Sequence, residues 1–155
     1  MSIQQFSTSE RRKRRALAVM AGVLAAETVW LVSELAFGVH PRMPAGNGHA
    51  LAEIGPVTVA VASAVLSLLG WGVLALLERV TSHARGIWRV MAPLALIASL
   101  GMPLSGTGVT AANRVVLVLM HLVVAAIVVP LLYRTSPPAK QQPRQAAGVP
   151  LGEAA

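Results

Sequence analysis

The sequence predicts an all-α integral membrane protein, a bundle of four transmembrane helices with both the N and C termini in the cytoplasm. Three observations support this prediction. The chain of 155 residues is 55% hydrophobic and 12% charged, whereas soluble domains carry roughly 25% charged residues. Four stretches approach the roughly 20 apolar residues that a helix needs to cross a bilayer. The basic residues alternate between loops in the way that membrane topology requires.

The domain organisation follows from the positions of the apolar stretches. Residues 16–134 contain all of them and form the predicted transmembrane domain. Residues 1–15 are predicted to be a basic cytoplasmic tail, and residues 135–155, rich in Pro, Gln and Ala, a disordered tail. The predicted transmembrane helices cover about residues 16–37, 56–77, 87–104 and 115–133.

The first helix carries two glutamates within the apolar stretch "LAAETVWLVSEL", residues 24–35. A charged side chain near a helix centre costs about 2.5–3.5 kcal/mol on the insertion scale. Glu27 and Glu34 are seven residues apart and therefore lie on nearly the same helix face, with Trp30 between them. We expect both carboxyls to face the bundle interior or a cavity rather than lipid.

The start of this helix has two rival interpretations. The cluster "RRKRR", residues 11–15, followed by an apolar run is also typical of a signal peptide. The run is long, however, Glu27 interrupts it, and no clear cleavage site follows. The residues that usually follow the arginine pair of a twin-arginine export signal are absent. An uncleaved membrane helix is therefore the interpretation we prefer.

The second, third and fourth helices carry residues that affect how helices pack or bend. Ser63, Ser67 and Gly70 form a ridge of small residues, which lets helices approach closely. Pro93 in the third helix and Pro130 in the fourth are expected to kink or locally open their helices. Opened backbone can line a cavity, but proline is also common in membrane helices.

The charge distribution predicts the orientation. Eleven of the 13 basic residues lie before the first helix, around the loop between the second and third, or after the fourth. Because positive loops stay cytoplasmic, loops 38–55 and 105–114 are predicted to lie outside, and the expected location is the cell inner (cytoplasmic) membrane. Trp71 and Trp88 then lie near the inner interface, where tryptophan anchors are common. This topology also explains the basic residues without a nucleic-acid partner.

The polar residues predicted in the outer half of the bundle form a candidate acid–base site. At 1.5 Å per residue, His121 lies roughly 9 Å below the outer end of the fourth helix, between the depths of Glu27 and Glu34. Glu27 is the candidate general acid, and Glu34 and His121 would receive or relay the proton. A buried Glu–His hydrogen bond that only locks two helices together is the structural alternative. The candidate substrate-binding residues are Trp30, Asn113, Arg114 and Glu53.

We expect no cofactor and no metal. The chain has no cysteine, which excludes disulfides and thiolate metal sites. His40 and His49, nine residues apart in a loop, are a poor metal-binding pattern. No phosphate loop or dinucleotide-binding motif is present in the sequence.

The four-helix layout, the acidic first helix and the ending "LMHLVVAAIVVPLLYR", residues 119–134, resemble a family of small actinobacterial membrane proteins known only as a domain of unknown function. The resemblance covers the four helices and implies their fold but no activity. There is also a looser likeness, in design and not in sequence, to small membrane isomerases and terpene cyclases. Those enzymes place Glu, Asp, His and Trp inside a helical bundle to protonate an olefin or epoxide.

Two functions from different classes are therefore expected. The first is a cofactor-independent intramembrane acid–base enzyme, of the cyclase or isomerase type, acting on a hydrophobic isoprenoid, polyketide or lipid. The second is a non-catalytic membrane accessory subunit or a small proton-linked carrier. The expected partners are the lipid bilayer and a hydrophobic small molecule; a homo-oligomer is left open, and no nucleic acid is expected.

Overall fold

The computed structural model describes residues 7–44, 51–105 and 108–137. Four helical segments of this part are long and apolar enough to cross a membrane, α3 and α4 together forming one of them. The predicted four-helix membrane bundle is thereby confirmed, and the chain is a multi-pass membrane protein. The elements are α1 Thr8–Phe37, β1 Arg42–Pro44, β2 Leu51–Glu53, α2 Pro56–Val80, α3 Ala84–Ser99, α4 Gly101–Ser105 and α5 Ala111–Thr135.

Large apolar side chains cover the outside of the bundle. Leu35 exposes 79% of its surface and Val57 exposes 75%. A soluble protein rarely leaves so many large apolar groups in contact with water over a contiguous surface. In a bilayer, acyl chains cover such groups, so the exposed helix faces are lipid-facing surfaces.

Helix α1 begins eight residues earlier than predicted, at Thr8. The Ser7 hydroxyl accepts a hydrogen bond from the backbone N–H of Glu10 at 3.2 Å, which satisfies one of the N–H groups at the start of the helix. The described part of the predicted basic tail is thus helical, with Arg12, Lys13 and Arg14 exposed on the first turns of α1. The helix ends at Gly38, whose φ of 60° is a left-handed conformation that glycine adopts at little cost.

The predicted outer loop 38–55 contains an antiparallel hairpin. Strands β1 and β2 pair with Met43 opposite Ala52 and Arg42 opposite Glu53. Residues 45–50 between them, including His49, lie outside the described residues. The described part of the predicted loop thus contains a hairpin, which forms a cap on the bundle.

The predicted third helix is interrupted at Leu100, between α3 and α4. Pro103 has no N–H to donate to the carbonyl of Ser99 four residues earlier, and its ring clashes with that carbonyl. The first helix segment therefore ends at Ser99. Pro93 and Pro130, by contrast, lie inside continuous helices.

The first and last spans are neighbours. Helix α1 packs against α5 along much of its length and also against α2, while α3 packs against α5 and α2. At Gly22 of α1, an added Cβ would lie 2.6 Å from Cγ2 of Val128 on α5, so only glycine allows this approach. Two apolar clusters fill the bundle, one around Leu74 and Leu132 and the other around Ala26 and Leu117.

Trp88 belongs to the core and is not a membrane anchor. It is 5% exposed and packs with Leu74 and Leu132, and an added Cβ at Gly70 would contact its ring at 3.5 Å. The predicted interfacial role of Trp88 is therefore wrong. The small residue at position 70 makes room for this indole, which explains part of the predicted ridge on α2.

The two ends of the bundle differ in composition. The start of α1, the end of α2, the start of α3 and the end of α5 meet at one end, which we call the basic end. The hairpin, α4 and the starts of α2 and α5 form the other, which we call the hairpin end. The predicted candidate site lies in the half of the molecule nearer the hairpin end.

Candidate functional site

Glu27 lies in the middle of the apolar stretch of α1, on the side that faces α2. Its neighbour Ala26 packs with Leu117 and Met120 of α5, and consecutive residues are about 100° apart around a helix. The Glu27 carboxyl approaches the backbone of Ala60 in α2. Its Oε1 atom is buried without a hydrogen-bond partner in the described part of the chain. This oxygen forms no bond that holds two helices together.

His121 lies at nearly the same height as Glu27. Gly22 of α1 is level with Val124 and Val128 of α5, and the two helices are antiparallel. Toward the hairpin end, Glu27 is five residues beyond Gly22, and His121 is three residues beyond Val124 and seven beyond Val128. Within ranges 7–44, 51–105 and 108–137, however, no hydrogen bond or ion pair joins their side chains. The prediction placed His121 between the depths of Glu27 and Glu34, whereas the structure places it level with Glu27.

The imidazole of His121 bonds to its own helix. Its Nδ1 atom is 2.7 Å from the carbonyl oxygen of Leu117. Because a carbonyl oxygen can only accept, Nδ1 carries the proton, and Nε2 is the acceptor of the neutral ring. The ring is half-buried, and its hydrogen bond adds no link between helices.

Glu34 pairs with His40, a residue of the segment that follows its own helix. Its Oε2 atom is 2.6 Å from Nδ1 of His40, and Oε1 of Glu53 is 3.9 Å from the same nitrogen. The end of α1 turns the chain back so that His40 reaches the preceding helical turn. Glu34 and Glu53 thereby hold one histidine at the hairpin end, away from the bundle interior.

Two predicted substrate-binding residues fasten the hairpin to the bundle. Trp30 donates its indole N–H to the carbonyl oxygen of Ile54 at 2.8 Å. Asn113, which is 4% exposed, accepts from the N–H of Arg42 through Oδ1 and donates to its carbonyl through Nδ2, both at 3.0 Å. Their polar atoms are thus used in the fold. Sequence could not reveal these bonds, because their partners are backbone atoms that any residue carries.

The two remaining predicted binding residues lie beside this cap. The Glu53 side chain is 59% exposed on β2. Arg114 follows Asn113 on α5 and is half-buried. The seven predicted site residues therefore lie in the same half of the molecule but do not gather around one point.

Two apolar grooves open on the surface of the bundle. One lies between α1 and α5 near the hairpin end and holds about 490 Å³; Val32, Phe37, Val116 and Leu119 are among its lining residues. The other runs along the outer face of α2 around Gly72. None of the three predicted catalytic side chains lines either groove. The described grooves suit acyl chains, and the ionisable groups lie elsewhere.

A buried polar contact lies at the opposite end, the basic end. Arg15 is buried, with Nη2 2.6 Å from Oε1 of Glu78 on α2 and Nε 2.9 Å from Oγ1 of Thr135 on α5. One guanidinium thus ties three helices together. The sequence contains a clue to this ion pair. Glu78 is the only acidic residue of α2, and it lies near the end of the helix, close in height to the cluster that contains Arg15.

Comparison with known proteins identifies the family to which the chain belongs. A family model, described as a family of unknown function (DUF6069), matches residues 6–138. No curated protein and no solved structure matches the chain. The match covers all four membrane-spanning segments and confirms the resemblance to a family of unknown function. Among the described residues, no three His, Asp or Glu side chains gather in a position to hold a metal ion.

Proposed function

We propose that this chain, which belongs to the DUF6069 family, is a non-catalytic accessory subunit that packs against a partner protein within the membrane. The Glu27 carboxyl carries the proposal. It lies within the apolar part of α1, and its Oε1 is buried without a hydrogen-bond partner in the described part of the chain. A carboxyl in hydrocarbon is costly, and its contact with the Ala60 backbone of α2 leaves this second oxygen without a donor. A hydrogen-bond donor from a partner would offset it.

The surface around Glu27 suits a second membrane helix. Leu24 and Leu31, one turn to either side on the same face of α1, are 61% and 49% exposed. The carboxyl is therefore flanked by apolar side chains that a helix could pack against. The chemistry of the partner follows: a transmembrane helix that presents a lysine, an arginine or another donor at this depth.

The geometry gives less support to the acid–base enzyme. A proton-initiated reaction needs its acid within hydrogen-bond reach of the substrate. Glu27 and His121 line neither of the two described grooves, and Glu34 is bound to His40. The enzyme, its hydrophobic substrate and the roles of these residues remain predictions.

The contacts also favour a fixed bundle over a carrier. Transport by alternating access requires one part of a bundle to move against another. Arg15 connects α1 with α2 and α5 at the basic end, and Asn113 holds the hairpin on α5 at the other. The close contact of Gly22 with Val128 links the middle of α1 to α5. Each of these contacts opposes such movement.

A designed peptide tests the proposal without knowledge of the natural partner. The chain contains no cysteine, so a single introduced cysteine can carry a fluorophore for energy transfer in lipid nanodiscs. The probe is a leucine-based transmembrane peptide with one lysine near its centre, compared with the same peptide without lysine. Since a hydrogen bond to a charged group contributes about 1.5–3 kcal/mol, the lysine peptide should bind the native chain roughly tenfold more tightly or better.

The variants decide the outcome. Glu27→Leu should remove the preference for the lysine peptide, while Glu53→Gln, which changes an exposed carboxyl, should keep it. Equal binding of the two peptides to the native chain would contradict the proposal. If Glu27→Gln abolished turnover of an isoprenoid or lipid while peptide binding stayed independent of Glu27, the enzyme would be the better function.

A further inference from the structure

The basic end carries more positive charge than its carboxylates balance. Within the described ranges, the carboxylates near this end are Glu10 and Glu78, and Glu78 is already bound to Arg15. Such an excess is expected of a cytoplasmic flank, so by itself it indicates no site. The basic residues at this end are Arg11, Arg12, Lys13, Arg14, Arg15, Arg79, Arg85, Arg89 and Arg134.

Two of these arginines converge on one aromatic ring. The guanidinium carbons of Arg85 and Arg89 lie 5.3 Å and 4.9 Å from the ring centroid of Tyr133. The arginines are one turn apart on α3, so their like charges share a helix face and repel each other. Tyr133 comes from the end of α5 and attracts both cations through its ring face, but it carries no negative charge.

No anion of the described chain compensates this pair. The ion pairs of residues 7–44, 51–105 and 108–137 involve Arg15 and His40 and neither of these two arginines. The Nε atom of Arg85 is buried without a hydrogen-bond partner in the same part of the chain. The unused donor and the two adjacent charges together indicate an anion-binding site.

We propose that Arg85 and Arg89, positioned by Tyr133, bind the phosphate of an anionic phospholipid headgroup. Guanidinium groups present paired N–H donors that match phosphate oxygens. Tyr133 follows the apolar run of α5 and precedes Arg134, which is the boundary where headgroups meet the hydrocarbon core. The site does not depend on the role of Glu27.

The neighbouring surface favours a lipid over free phosphate. Pro93 lies one turn beyond Arg89 on nearly the same face of α3 and is exposed, and Leu96, the next apolar residue of that face, is partly exposed. An acyl chain can lie on these side chains while its phosphate reaches Arg85 and Arg89. A phosphate ion would gain only the polar part of this contact, and a zwitterionic lipid would bring its own cation next to the arginines.

Native mass spectrometry of the full chain in a neutral detergent tests this site. The probes are dioctanoyl phosphatidylglycerol, dioctanoyl phosphatidylcholine and inorganic phosphate, added separately. We expect the glycerol lipid to bind several-fold more tightly than the choline lipid and more tightly than phosphate. The double variant Arg85→Gln/Arg89→Gln should lose roughly tenfold or more in affinity for it, as expected for two charge-assisted hydrogen bonds.

A matched control distinguishes binding at this site from a general effect of positive charge. Arg12→Gln/Arg79→Gln removes two exposed cations of the same end and should change the affinity less than about twofold. If both double variants weakened binding equally, a diffuse charge effect would replace the site. Equal binding of phosphate and the glycerol lipid to the native chain would overturn the assignment to a lipid.

The role of Tyr133 has its own readout. Tyr133→Phe keeps the ring face and should retain the affinity, whereas Tyr133→Leu frees both arginines and should weaken binding. The variant Arg85→Lys/Arg89→Lys keeps the charges but not the paired donors, so an intermediate affinity is expected. If Tyr133→Leu bound the lipid like the native chain, with an unchanged melting temperature, the positioning role would be wrong.

Discussion

The two ends of this bundle use their polar side chains differently. At the hairpin end, Trp30 and Asn113 bond to the backbone of Ile54 and Arg42. At the basic end, Arg15 bonds to two side chains, Glu78 and Thr135. The first arrangement seals a hairpin onto the helices, and the second binds three helices to one another.

This difference shows why a polar residue in a membrane helix is an ambiguous sign of function. Asn113 is almost fully buried and predicted to bind substrate, yet each of its amide atoms has a backbone partner. Arg85 is one of the basic residues that membrane topology explains, yet its Nε is buried without a hydrogen-bond partner in the described part of the chain. The unsatisfied group, and not the merely polar one, is the better candidate for binding something else.

The largest effect is expected at the basic end. Arg15→Ala leaves the Glu78 carboxylate without its described partner in a largely buried position, since the two side chains are 5% and 11% exposed. Removing one partner of a buried ion pair costs about 3–5 kcal/mol. We expect a loss of this size in the free energy of unfolding, measured in mixed micelles. The double variant Arg15→Leu/Glu78→Leu should recover much of this loss. If Arg15→Ala alone left the stability unchanged, the ion pair would not hold the helices at this end.

An intermediate effect is expected for the link between the hairpin and α5. Asn113→Ala removes two hydrogen bonds and leaves the backbone N–H and carbonyl of Arg42 without this partner, which costs about 1–3 kcal/mol. The loss should be local: the Arg42 amide should exchange its hydrogen faster, while amides around Leu74 in the opposite cluster stay protected. Faster exchange at both places would mean that the ends are not independent.

The smallest effect is expected for the ion pair between Glu34 and His40. The His40 side chain is 56% exposed, and exposed pairs contribute about 0–1 kcal/mol. His40→Ala should therefore change the free energy of unfolding by less than Asn113→Ala does, measured under the same conditions. A cost equal to that of Asn113→Ala would show that Glu34 needs its partner as strongly as a buried carboxylate does.

Much of the fold could be predicted from local patterns. Apolar length identified the four membrane-spanning segments, and the predicted first residue of the second helix, 56, is the observed one. The start of α1 was missed because a basic run looks like a solvated tail, although Ser7 supplies a helix cap. The interruption before Pro103 was missed because apolar content continues through it, while the missing N–H of proline acts on the backbone.

The candidate site was predicted only in its depth. Helical rise predicts His121 between the heights of Glu27 and Glu34, and the contact of Gly22 with Val124 and Val128 puts it level with Glu27. Which way each side chain points, and what it meets there, depends on how neighbouring helices are rotated against one another. Close contacts such as that of Gly22 with Val128 decide that rotation.

The sequence by itself thus determined a multi-pass helical bundle and the heights of its polar residues, since hydrophobic length and rise per residue are properties of single segments. Only the tertiary structure decided that Glu34 meets His40, that Arg15 joins three helices, and that Arg85 and Arg89 share one ring. Those pairings join segments as far apart in sequence as residues 15 and 135. The way in which whole helix faces pack decides which side chains meet.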